Sequence, residues 1–208
     1  MSEAELRAFL QPDETALELL SRTVSEPIQT GTWFLGALRI AQVLELTGQS
    51  GSAKTEVLIQ IAVNCVLPEE AEGRAEHVVL LDLDAKFDAL RLIQTLSARI
   101  QGAEKDLDRD AELRAALRRF HLVQCRSSFE LLAALETLPA LIERLQGDGT
   151  LQLVLLDNMA AHYWVDKARH ATPGQRPTCA AMTLHAVHAA IAGKLQQLLR
   201  KYRRGRGW

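Results

Sequence analysis

The stretch "GQSGSAKT" (residues 48–55) sits between two apolar runs, "AQVLEL" before it and "KTEVLIQIAVNCVL" overlapping its end. An apolar run of strand length, a tight Gly/Ser turn and an apolar run of helix length make a strand–loop–helix unit. Such a unit gathers the N–H groups of the turn and the positive end of the helix around one point, which suits an anion. The spelling is that of a phosphate loop (Gly, four residues, then Gly-Lys-Ser/Thr), except that Ala53 stands where the second glycine is expected. Gly48, Gln49, Ser50, Gly51, Ser52, Ala53, Lys54 and Thr55 are therefore the candidate nucleotide-binding residues. In such a loop the lysine reaches the β and γ phosphates and the hydroxyl binds magnesium, so the expected cofactors are ATP and magnesium. Ala53 costs little if its backbone is near helical, and about 1 kcal/mol or more if it needs positive φ.

Downstream, strand-length and helix-length patterns alternate. "HVVLLDLD" (77–84), "FHLVQC" (120–125) and "LQLVLLD" (151–157) read as strands. "ETALELLSRTV" (14–24), "FDALRLIQTLSARI", "RDAELRAALRRF", a stretch from Ser128 broken or kinked at Pro139, and a last stretch over 178–202 read as helices. Short strands apolar on both faces, alternating with helices, predict an α/β fold with a mostly parallel sheet covered on both sides. A chain of 208 residues, 48% hydrophobic, buries one substantial core. The expected division is a single domain, with an N-terminal helix and linker over 1–40, a core over 41–166, and a loop and basic helix over 167–208.

"LVLLD" places Asp157 at the end of an apolar strand, where a carboxylate orients magnesium beside Thr55 in the manner of a Walker B element. Hydrolysis also needs a carboxylate that positions water, and Asp82 or Asp84 can provide it; the other reading of "LDLD" is a solvated loop. Other chemistries lack support. No Asn-Lys-x-Asp guanine reader exists, because the asparagines are Asn64 and Asn158. His185 and His188 stand one helical turn apart, but two ligands do not make a metal site. Cys65, Cys125 and Cys179 are scattered and odd in number, which speaks for reduced thiols. No run approaches a membrane span, and the acidic N-terminus does not resemble a secretory signal.

The net charge of −2 hides an asymmetry. From Lys167 onward there is no Asp or Glu and nine Lys or Arg, so the first 166 residues hold fifteen of the 24 basic residues against all 26 acidic ones, a net of −11. Arg200, Lys201, Arg203, Arg204 and Arg206 are interleaved with Tyr202 and followed by Trp208. That mixture suits single-stranded DNA, and suits equally a solvated helix end.

The stretches "LELTGQSGSAKTEVLIQIAVNCVLP", "VVLLDLDAKFDALRL", "FHLVQCRSSFELLAAL" and "LVLLDNMAAHYWVDK" resemble, in order and spacing, the eukaryotic RecA-like recombinase paralogues over about residues 40–167. The resemblance implies a RecA-like P-loop NTPase core in a nuclear protein of homologous-recombination repair of DNA double-strand breaks. It implies a hetero-oligomer with other recombinase paralogues, meeting DNA through the complex. By position Lys54 and Thr55 take the Walker A roles, Asp157 the Walker B role, and Asp84 the place of a catalytic glutamate. Aspartate is shorter by a methylene, and a misplacement of about an ångström costs about a hundredfold in rate. The resemblance also implies that the C-terminal part of the core, with a γ-phosphate sensor and a DNA-binding loop, is missing after "YRRGRGW". The competing readings are a self-sufficient DNA-stimulated ATPase of RecA type and, more remotely, an unrelated P-loop kinase.

Overall fold

The computed structural model describes residues 28–30, 35–39, 41–103, 108–145, 151–170 and 184–204. Its centre is a three-stranded parallel sheet of β3 (His77–Asp82), β4 (Phe120–Gln124) and β5 (Leu151–Asp157), ordered β4-β3-β5. All six residues of β3 are buried. Side chains alternate along a strand, so Val78 and Leu80 face one side and Val79 and Leu81 the other. This is the two-sided burial that "HVVLLD" predicts, and it gives an α/β sheet covered on both faces.

On the Val78 face lie α1 (Lys54–Val66), α2 (Ala89–Gln101) and α3 (Arg109–Arg119), contributing Ile59, Ala62, Val63, Leu92, Leu96 and Ala116 to one core. On the Val79 face lie α4 (Ser128–Leu145) and α6 (Leu184–Arg204), with Leu131, Leu135, Val187, Ile191 and Leu198. α5 (Tyr163–His170) follows β5, and α4 is tied to it by a buried hydrogen bond from Ser128 Oγ to Asp166 Oδ2 (2.6 Å).

Local chemistry starts and stops these helices. Asp88 Oδ1 accepts from the N–H groups of Leu90 and Arg91, and Asp108 Oδ1 from that of Ala111, satisfying orphan donors at the starts of α2 and α3. α4 opens with two side-chain acceptors: Ser127 Oγ accepts from Glu130 N–H, and Glu130 Oε2 accepts from Arg126 N–H. At the end of α1, where Pro68 forbids another turn, the Arg119 guanidinium donates to the Val66 carbonyl (3.0 Å).

Three expectations are corrected. The apolar run "AQVLEL" is not a strand: residues 42–47 belong to no sheet, and Val43 is 68% exposed. Among the described residues β5 pairs on one side only, and an open cavity of about 1250 Å³ separates its other edge from residues 41–47. Of the two alternatives at Pro139, broken or kinked, the break is not found: α4 runs through it as one helix. The proline removes the N–H that would bond the Leu135 carbonyl, but Leu135 and Leu138 are buried in the core, and that packing holds the element together. Conversely, a two-residue antiparallel pair, β1 (Ile28–Gln29) with β2 (Ala37–Leu38), occupies a stretch read as loop. The helix expected over 14–24 lies outside the described residues, as do 178–183 of the last one.

Candidate functional site

The candidate phosphate loop is shaped by a turn and a helix start. Ser52 N–H donates to the Gln49 carbonyl (3.2 Å), and Val57 N–H to the Ala53 carbonyl (3.0 Å) as α1 begins. Gly51 has φ +81°, open to glycine alone at low cost, and a Cβ on Gly48 would come within 2.6 Å of Ser52 Oγ. Ala53 falls on the strained side of its two alternatives: φ is 61° and ψ 22°, a left-handed residue at the cap of α1 with no side-chain cap.

Lys54 is folded back into the loop. Its ammonium donates to the carbonyls of Gly48 (2.9 Å) and Gln49 (2.7 Å) and to Ser52 Oγ (3.3 Å). The cation thus ties the loop together and is placed to exchange those carbonyls for an anion among the N–H groups.

Thr55 and Asp157 meet: Thr55 Oγ1 donates to Asp157 Oδ2 at 2.6 Å across 102 residues of sequence. α1 brings the threonine and the end of β5 the carboxylate. A hydroxyl and a carboxylate oxygen side by side, next to a phosphate loop, are the hard oxygen donors that magnesium prefers. The other candidate carboxylates part company. Asp82, paired in register with Asp157, is 2% exposed, accepts from Phe87 N–H (3.3 Å) and is not among the residues lining the cavity. Asp84 lines the cavity with Lys54, Thr55 and Asp157. Its Oδ2 accepts from Asn158 Nδ2 (3.1 Å) and pairs with the Lys86 ammonium (3.0 Å). Neither Asn158 nor Lys86 carries a motif of its own, and the left-handed Ala85 that precedes Lys86 leaves no mark in the sequence.

The cavity is larger than the roughly 300–1,000 Å³ of most small-molecule sites. It continues past the loop, between Val43, Leu44 and Leu46 on one side and Leu153 to Leu156 on the other, with Leu135, Leu138, Leu195 and Leu198 also lining it. Tyr202, expected to be free for base stacking, packs against the Val79-face core with its hydroxyl buried. Lys201 lies near Glu143 (3.7 Å), while Arg206 and Trp208 fall outside the described residues. His188 stands beside Tyr163, with ring centroids 6.0 Å apart, and among the described residues no group of three His, Cys, Asp or Glu is arranged to hold a metal. Cys65 is a core residue, its thiol pushed up to about 12 by burial. No described helix is long and apolar enough to cross a membrane.

No protein-family model matches the chain. It is 31% identical to a DNA repair protein XRCC2 homolog of Arabidopsis thaliana, over 96% of this chain and 62% of that protein. It is 32% identical to the DNA repair protein XRCC2 of Mus musculus, over 60% of this chain and 42% of that one. A third relative is the DNA repair and recombination protein RadA of Methanoculleus marisnigri, 29% identical over 68% of this chain. The chain thus spans about two fifths to three fifths of the length of the XRCC2-type relatives it matches. The parallel α/β core and these relatives together are consistent with a RecA-like DNA repair protein of the XRCC2 type.

Proposed function

We propose that the chain is a nucleotide-binding subunit of a recombinase-paralogue complex that supports homologous-recombination repair of DNA double-strand breaks in the nucleus. The observation that carries the nucleotide part is the contact of Thr55 Oγ1 with Asp157 Oδ2 at the mouth of the Gly48–Ala53 loop. The kinship with XRCC2-type repair proteins supports the repair role and the association with other paralogues.

In this reading the N–H groups of residues 48–53 and the Lys54 ammonium bind the phosphates of ATP, and Thr55 with Asp157 holds magnesium. Magnesium, when bound, neutralises phosphate charge. Lys54 has to leave the Gly48 and Gln49 carbonyls, so part of the binding free energy goes into opening the loop. Hydrolysis is weak: Asp84, placed where a catalytic carboxylate is expected, is engaged by Asn158 and Lys86 of its own chain.

Thermal unfolding with and without magnesium–ATP tests the nucleotide part. At a hundred times the dissociation constant, the ligand stabilises the fold by about 2.7 kcal/mol. Lys54→Ala abolishes the shift, and Asp157→Ala removes its magnesium dependence. A wild-type chain whose melting temperature ignores nucleotide refutes the nucleotide reading. Failure to co-purify with any other recombinase paralogue from nuclei refutes the complex.

A further inference from the structure

We propose that Lys86 is a second phosphate-binding cation of this site, selective for the terminal phosphate, and that Asp84 is the residue that positions it. The inference rests on the nucleotide reading of loop 48–55 and deepens it.

Three observations converge on Lys86. The first is where the backbone puts it. Ala85 has φ +55°, so the chain leaving β3 turns sharply and Lys86 is carried back over Asp84. The ammonium ends 3.0 Å from Asp84 Oδ2. Alanine pays a steric penalty in that conformation, so the turn is imposed by the structure around it. The second is what surrounds it. The basic residues lining the cavity, among those described, are Arg39, Lys54 and Lys86. Lys54 belongs to the loop itself, and Lys86 stands on the side of Asp84 and Asp157. Its pKa is raised, first by the hydrogen bond and charge of Asp84 and in smaller part by the charge of Asp157, so the ammonium stays protonated there. The third is how loosely it is held. The Lys86 side chain is 78% exposed and Asp84 is 17% exposed. An exposed pair of this kind adds little to stability and is easily exchanged for a better partner.

The charges then explain the pairing. A nucleoside triphosphate brings more negative charge than a diphosphate toward an edge that already holds two carboxylates. A mobile ammonium at that edge offsets the repulsion and donates to phosphate oxygen. Asp84, held by Asn158 Nδ2 at the same oxygen, keeps Lys86 in place until the phosphate arrives. Asp84 therefore acts through Lys86 as a positioning residue.

Titration calorimetry of the full chain with magnesium–ATP and magnesium–ADP decides the matter. Lys86→Met is expected to weaken ATP binding about tenfold, the cost of one charged hydrogen bond, and ADP binding by less than about twofold. Lys86→Arg restores most of the ATP affinity. Asp84→Asn is the sharper test: a positioning carboxylate predicts weaker ATP binding, by about threefold. A carboxylate that merely faces the phosphates predicts tighter binding, because its removal relieves repulsion. An ATP-to-ADP preference unchanged in Lys86→Met, or tighter ATP binding in Asp84→Asn, overturns the proposal and leaves the nucleotide reading standing. A wild-type chain that binds neither nucleotide overturns both.

Discussion

β3 and the segment over 41–47 have similar sequences, "HVVLLD" and "AQVLEL", and opposite fates. The first is buried at every residue between two neighbouring strands; the second belongs to no sheet and leaves Val43 and Leu44 at 68% and 39% exposure. Pattern accounts for part of this, because Gln42 and Glu45 interrupt the second run where Val78 to Leu81 are apolar without a break. The supply of edges differs as well. β3 meets β4 and β5 and is covered by helices on both faces, whereas 41–47 has the cavity between itself and β5. An apolar run is a capacity for strand formation, and the neighbours realise it. The phosphate loop is consequently anchored from behind, by α1 packing in the core, with no sheet in front of it.

The widest break in the comparison is truncation. Leu81→Ala, in a core with 1% of the residue exposed, is expected to cost about 2–5 kcal/mol in urea unfolding. Val43→Ala is expected to stay within about 0.5 kcal/mol. Equal losses at the two positions mean that residues 41–47 are packed as firmly as β3.

A second test relaxes the loop. Ala53→Gly removes a left-handed alanine, and the gain, less glycine's extra freedom when unfolded, is about 0.5–1 kcal/mol, or about 2 °C in melting temperature. A fall in melting temperature means that Ala53 makes compensating contacts.

A smaller effect belongs to the far end of the sheet. His77 Nδ1 and His121 Nε2 lie 3.0 Å apart, one ring donating and the other accepting, so both cannot be protonated in that arrangement. Burial, followed by the charges of His77 and Arg144, lowers the His121 pKa below its ordinary 6.5. The unfolded chain then takes up the proton more readily than the folded one. Stability is full above about pH 6.5 and declines as the pH drops through the lowered folded value. His121→Gln should flatten that limb of the stability–pH curve; an unchanged slope assigns the acid sensitivity elsewhere.

The sheet was legible because β3, β4 and β5 are short apolar runs bounded by breakers, and parallel strands need no more than that. The contact of Thr55 with Asp157 was legible because each carries its own motif. Residues 41–47 misled because pairing is not written in the segment that pairs. Lys86 was missed for a different reason: its position depends on a left-handed Ala85, and nothing in an alanine announces positive φ. Ala41, Ala53 and Ala75 share that property, so at these places alanine stands where turn chemistry would offer glycine or asparagine.

The hydrogen bond between Thr55 and Asp157 also has a kinetic consequence. Its partners are 102 residues apart, and β5 reaches β3 only after the chain between them has closed a long loop. Contacts of such sequence separation form late, because the closure entropy is spent before they exist. The two halves of the site are therefore expected to meet late in folding, which φ-values at Thr55 and Asp157 would check, and a nucleotide that needs both would not hasten the search. A ligand there acts as a latch on the finished molecule, lengthening its lifetime against unfolding while leaving the rate of folding almost untouched.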